Sequence, residues 1–168
     1  MTVLQTKRLT LRHPLLSDDS VYTAFFTPEG LAQGSYRGGR RPSEAKTMLT
    51  DDIVHWTLHR HGRFMLLNDE AAVGVAGITI PHRQTRPELT WWIAPTRRRQ
   101  GFATEASRAL LLWARDTLGW LRLESRTRPG NDAAHGLLTH LGARYEGREM
   151  MEDRVERDVF AFDLEALA

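Results

Sequence analysis

The sequence predicts an α+β fold, a mixed and mostly antiparallel sheet flanked by helices. Three observations carry this. Residues 63–94 hold three short β-rich runs joined by brief polar connections, the pattern of an antiparallel meander. Residues 88–127 then read strand, helix, strand, a crossover long enough to make its two strands parallel. The chain closes on two further strand-like runs, near 143–151 and 155–164, and residues 158–162 alternate cleanly.

Taken in order, residues 6–12 alternate polar and apolar with Leu9 and Leu11 on one face, and predict a first strand ended by Pro14. Ser17, Asp18 and Asp19 offer an N-cap and an acidic first turn for a helix carrying Val21, Ala24 and Phe25, stopped by Pro28. Residues 29–42 hold four glycines and three arginines, and read either as a surface loop or as one wall of a binding site. In the second case Arg37, Arg40 and Arg41 would meet a carboxylate-bearing ligand, and Tyr36 would add an aromatic surface. Ser43 is expected to cap a second helix running to about Arg60, with Ala45, Leu49, Ile53 and Trp56 inward. His55 and His59 lie at i,i+4 with His61 near, but without an HExxH pattern or a further ligand they read as a helix face rather than a metal site.

Residues 63–67 form a short strand and residues 68–70 a turn. Residues 71–80 form a buried strand in which Gly74 and Gly77 let neighbouring backbone come close. After a polar connection, residues 88–94 give the next strand. The amphipathic helix from about Phe102 to Leu118 aligns Ala106, Leu110, Trp113 and Thr117, and Gly119 ends it. Residues 121–127 make the parallel partner strand, and residues 132–141 a short helix stopped by Gly142.

Composition narrows the function. A chain of 168 residues predicts one domain with a substantial core. With 23 basic against 21 acidic residues, the charge balance argues against a nucleic-acid partner. No apolar run approaches a membrane span, and the first residues lack a signal-peptide core. The absence of cysteine removes disulfides, thiolate metal sites and a cysteine nucleophile, and a cytoplasmic location is the default expectation.

The most informative stretch runs from Glu88 to Ala114. Its centre is a basic turn, Arg98-Arg99-Gln100-Gly101-Phe102-Ala103-Thr104, between a strand and a helix. Free N–H groups and the positive end of the helix dipole converge there, which suits a pyrophosphate. The pattern Arg98-x-x-Gly101-x-Ala103 resembles the acyl-CoA signature of the GNAT superfamily of N-acyltransferases. The wording from Glu88 onward is most similar to its RimJ/RimL branch, which acetylates protein N-termini.

The resemblance implies an acetyl-CoA cosubstrate and direct transfer of the acetyl group to a primary amine, on a peptide N-terminus or a small molecule. It leaves a homodimer possible. It implies a sheet splayed open beside residues 88–94, where the pantetheine arm pairs with the backbone of Trp92, Ile93 and Ala94. It matches Asn131 to a second CoA-contacting motif and Glu88 to a strand glutamate acting as general base. Two readings of Glu88 stand, that base or an exposed charge opening a strand. The family's usual proton donors fall on Leu138 and Ala134, which cannot donate. His135 is then the candidate acid, or a plain helix residue. A CoA-binding module with little catalysis is the alternative function.

Overall fold

The computed structural model describes residues 2–28, 37–81 and 86–167. Among them, eight strands form a single sheet in the order β1-β2-β3-β4-β5-β6-β8-β7. The strands are β1 (Leu4–Gln5), β2 (Thr10–Arg12), β3 (Arg63–Asn68), β4 (Ala71–Thr79), β5 (Glu88–Ile93), β6 (Arg122–Thr127), β7 (Arg144–Met150) and β8 (Glu156–Asp163). The helices are α1 (Asp19–Phe26), α2 (Pro42–His59), α3 (Phe102–Asp116) and α4 (Asp132–His140). The meander and the last pair are antiparallel, and β5 with β6 is the parallel pair, as the α+β reading requires.

Alternating strand residues feed two clusters on the two faces of the sheet. Phe64, Leu66, Ala76, Ile78, Leu89 and Ile93 pack with Ala106, Leu110 and Trp113 of α3 and Leu138 of α4. Met65, Val75 and Trp92 pack with Phe25 and Phe26 of α1 and Ala45 and Leu49 of α2. Each fully buried Leu or Phe contributes on the order of 1.5–3 kcal/mol by leaving water. The close approach read from glycine in β4 is real. A Cβ on Gly77 would lie 2.1 Å from the Gly62 carbonyl oxygen, and one on Gly74 would lie 2.3 Å from that of Trp92.

Four expectations need correction. The single strand over 6–12 is a hairpin, because the chain turns at Thr6, whose N–H donates to the Leu9 carbonyl at 2.9 Å. Along α1 the buried residues are Tyr22, Phe25 and Phe26 while Ala24 is exposed, so the inward stripe is rotated. The start of this helix agrees with its acidic signal: Asp18 is the N-cap residue and Asp19 opens the helix after a 3-10 turn over Leu16–Asp18, while the Asp18 carboxylate pairs with Arg12. Ser43 does not cap α2. Pro42 takes the first helical position, and the Arg41 N–H donates to Glu44 Oε2 at 2.8 Å. Finally, α3 ends at Asp116, so Thr117 is an exposed cap residue rather than part of the buried line. The proposed ligand wall over 29–36, including Tyr36, lies outside the described residues.

Candidate active site

The parallel pair is the weak seam of the sheet. Its one register pair is Glu88 with Glu124, and Ser125 Oγ donates to the Leu89 carbonyl at 2.9 Å. Beyond that point no register pair joins β5 to β6. A cavity of about 1700 Å³ opens along this seam, bounded by both strands, the turn before α3 and the first turns of α4.

At one end lies the basic turn. Arg99 and Gly101 both take the left-handed conformation, with φ of 63° and 81°. Gly101 adopts it without cost, while Arg99 carries strain of about 1–2 kcal/mol. Gly101 is the N-cap of α3, and no side chain caps that helix. Its first intrahelical bond runs from the Glu105 N–H to the Gly101 carbonyl at 3.0 Å. The N–H groups of Phe102, Ala103 and Thr104 therefore have no partner within the helix and sit at its positive end, on residues that line the cavity. Arg98 lies 5.1 Å from the Trp92 ring centroid, and its Nε donates to the Ile93 carbonyl at 3.0 Å.

Arg8, which sequence reasoning did not single out, braces this turn from behind. Its Nη1 donates to the Gln100 carbonyl at 2.9 Å, its Nε pairs with Glu105 at 2.7 Å, and its guanidinium covers Phe102. Gln100 thus faces Arg8 and does not line the cavity.

Of Trp92, Ile93 and Ala94, expected to offer backbone to the pantetheine arm, only Ile93 turns its polar groups to the seam, and its carbonyl accepts from Arg98 Nε. The Ala94 N–H donates to the Val73 carbonyl at 2.9 Å, toward β4. Alternation then turns the polar groups of Trp92 the same way, and those of Trp91 and Ile93 toward the seam. Trp92 and Ile93 line the cavity, and Ala94 does not.

Glu88 is 8% exposed, which removes the reading as a surface charge at a strand start. Burial raises its carboxyl above the ordinary range, opposed by Arg126, whose Nη1 lies 3.3 Å away. Arg126 also pairs with Glu124 at 2.7 Å. Glu124 is 1% exposed, and burial would raise it too, but Arg86 and Arg126 more than offset this and hold it below the ordinary range. Of the two carboxyls, Glu88 is thus the one poised to take a proton.

Asn131 caps α4 by accepting the Ala134 N–H at 3.2 Å, which leaves its amide nitrogen as a donor at the cavity wall. His135 does not line the cavity. Its Nε2 lies 2.9 Å from Thr127 Oγ1 and 3.4 Å from Asp158, and its ring packs on Phe160. This committed position is why direct proton donation by His135 is not supported. The rings of His55, His59 and His61 cluster, with centroids 4.5–5.8 Å apart. Among the described residues no group of three His, Cys, Asp or Glu side chains is arranged to hold a metal ion. Nor is any described helix long and apolar enough to cross a membrane.

Comparison with known structures gives the same architecture. An acetyltransferase from Agrobacterium tumefaciens aligns with a TM-score of 0.83 at 24% identity, over 96% of this chain and 94% of that one. RimJ of Mycobacterium smegmatis, in complex with CoA-disulfide, aligns at 0.79 and 18% identity, over 97% and 87%. RimL, a ribosomal L7/L12 α-N-protein acetyltransferase in complex with coenzyme A, aligns at 0.80 and 15% identity, over 98% and 99%. No curated protein sequence matches this chain. The sequence model described as Acetyltransferase (GNAT) domain matches residues 8–144, and on that match the chain belongs to the GNAT acetyltransferase family.

Proposed function

We propose that this GNAT acetyltransferase moves the acetyl group of acetyl-CoA to a primary amine held beside Glu88. The amine belongs to a peptide N-terminus or a small molecule, in the manner of the RimJ/RimL branch. Acetyl-CoA supplies the activated acyl group as a thioester. The cavity suits it, because the uncapped start of α3 and the left-handed Gly101 offer N–H donors to a pyrophosphate. Arg98, Arg99 and Thr104 add charge and a hydroxyl at that end, and Asn131 faces them from α4.

The remaining steps fall to the chain's own groups. The seam between β5 and β6 orients the two substrates, which alone can account for a large share of the rate. Glu88, buried and raised in proton affinity, accepts the proton of the attacking amine directly or through water. The backbone N–H groups of Trp91 and Ile93 turned toward the seam are the donors nearest to where carbonyl charge would develop. Ala134 and Leu138 offer no proton and His135 is held on Thr127. A thiol of ordinary pKa, about 8.5, leaves without a strong acid.

The observation that supports this most directly is a buried carboxyl of raised pKa in the same cavity as an uncapped helix N-terminus. The test is thiol release from acetyl-CoA across a panel of amines and N-terminal peptides. Turnover with at least one acceptor is expected, and CoA binding without turnover for any of them would leave a binding module instead.

A further inference from the structure

The cavity contains a second polar device, separate from Glu88 and from the basic turn. Asp52 of α2 is 3% exposed and sits at its centre. It accepts from Arg37 Nη2 at 2.7 Å, from Arg63 Nη1 at 2.8 Å and from the Tyr22 hydroxyl at 2.9 Å. Two guanidiniums thus share one carboxylate, and the tyrosine brings no charge. Arg37 lies 4.7 Å from the ring centroid of Phe26 and 5.9 Å from that of Tyr22. Its Nε is buried and has no hydrogen-bond partner among the described residues.

Both arginines line the cavity. Arg63 also reaches along it, its Nε donating to Thr90 Oγ1 at 3.3 Å. Thr90 is two residues from Glu88 on β5 and therefore shares its face of the sheet. Arg63 also feels the charge of Glu88 through space, and other described charges at this end pair with one another. Arg126 bridges Glu88 and Glu124, Glu149 lies 3.7 Å from Arg126, and Arg157 pairs with Asp153. Asp51 is exposed on α2, and burial together with His61 and His59 holds the His55 ring neutral near neutral pH.

Among the described residues Asp52 is the one carboxylate hydrogen-bonded to the two guanidiniums; a buried guanidinium short of such partners is costly, and an incoming anion relieves that cost. The planar fork of arginine matches a carboxylate in two hydrogen bonds. We propose that Arg37 and Arg63, held in place by Asp52 and Tyr22, receive a carboxylate that the acceptor carries close to its amine. The acceptor is then an α-amino acid or a peptide whose first residue is acidic. This assignment rests on the amine being acetylated beside Glu88.

The test compares matched acceptors with acetyl-CoA. One arm uses a free amino acid, its carboxamide and its decarboxylated amine. The other uses peptides that begin with Glu or with Gln and are otherwise identical. In at least one arm the carboxylate member should be preferred by about tenfold or more in kcat/KM, as expected for charge-assisted hydrogen bonds. The arm that shows the preference identifies the source of the carboxylate. Arg37→Gln should reduce the preference toward unity with KM for acetyl-CoA unchanged, and Arg37→Lys should keep part of it. Equal kcat/KM for charged and uncharged members in both arms overturns the proposal in the wild-type protein, whether or not a variant folds. If no acceptor turns over, the acetylation reading fails separately. Calorimetry of the same carboxylates with CoA-loaded protein then decides this one: binding lost in Arg37→Gln supports it, and no binding sinks it.

Discussion

Glu88 and Glu124 face each other as the register pair that joins β5 to β6, and one guanidinium, that of Arg126, reaches both carboxylates, at 3.3 and 2.7 Å. Burial lifts Glu88, and Arg126 works against that lift. Replacing Arg126 with Gln should therefore move the acid limb of the kcat/KM profile to higher pH, and Arg126→Lys should move it back. A profile that does not shift would detach Arg126 from the base.

Removing the carboxylate itself has a different signature. Glu88→Gln should lower turnover at neutral pH by 10²-fold or more, the typical range for a positioned base being about 10²–10⁴. CoA binding, read by calorimetry, should change far less. Unchanged turnover would take the base role away from Glu88.

Gly101→Val tests the turn before α3. At φ 81° a β-branched residue is strained, and its Cβ would stand 3.2 Å from Arg8 Nη2. The helix start should shift enough to weaken CoA binding by about tenfold or more, a loss of roughly 1.4 kcal/mol, while circular dichroism stays native. Undiminished binding would argue against pyrophosphate at this turn.

Gly77→Ala probes the core of the sheet instead. Its Cβ would fall 2.1 Å from the Gly62 carbonyl oxygen, a backbone atom that cannot swing aside. Overpacking of this kind should cost about 1–3 kcal/mol or more, read from the denaturant midpoint.

His55 sets an acid sensitivity. Burial, and then its neighbours His61 and His59, lower its pKa from 6.5 to about 4. The unfolded chain takes up this proton as pH falls below 6.5 while the folded chain does not, so stability should decline between pH 6.5 and 4. His55→Gln should flatten that decline, most visibly above pH 5, where few carboxylates titrate. Parallel urea-unfolding curves for the two proteins across this window would contradict it.

Most strands and helices were legible because alternation and helical spacing are local signals. The errors fell where a local signal had two outlets. Ser43 looks like a cap, yet Pro42 beside it is better suited to the first helical position, which moves the cap to Arg41. In β5 the sequence marks Trp92, Ile93 and Ala94 alike, and only the hydrogen bond from Ala94 to Val73 shows which backbone groups turn away from the seam. The basic turn and uncapped helix start before α3 were readable because their residues are contiguous. The partners of Glu88 were not, since Arg126 and Glu124 lie more than thirty residues away and meet it only through the parallel pairing. The Arg37–Asp52–Arg63 group is likewise drawn from a loop, a helix and a strand. The one available hint was Glu124 and Arg126 sharing a strand face, which period-two spacing gives without naming their partner.

A sheet usually has two borders where strand backbone is left open to other chains, and proteins blunt them. Here β1 is only two residues long, and β7 carries Arg144, Glu146, Arg148 and Glu149. Past the pair Glu88–Glu124, the divergence of β5 and β6 creates two more such borders inside the sheet. These inner borders face each other, so a foreign sheet cannot stack onto them and a single slender chain can. The same unpaired backbone that would invite aggregation on the outside becomes, inside, a slot that selects its guest by width.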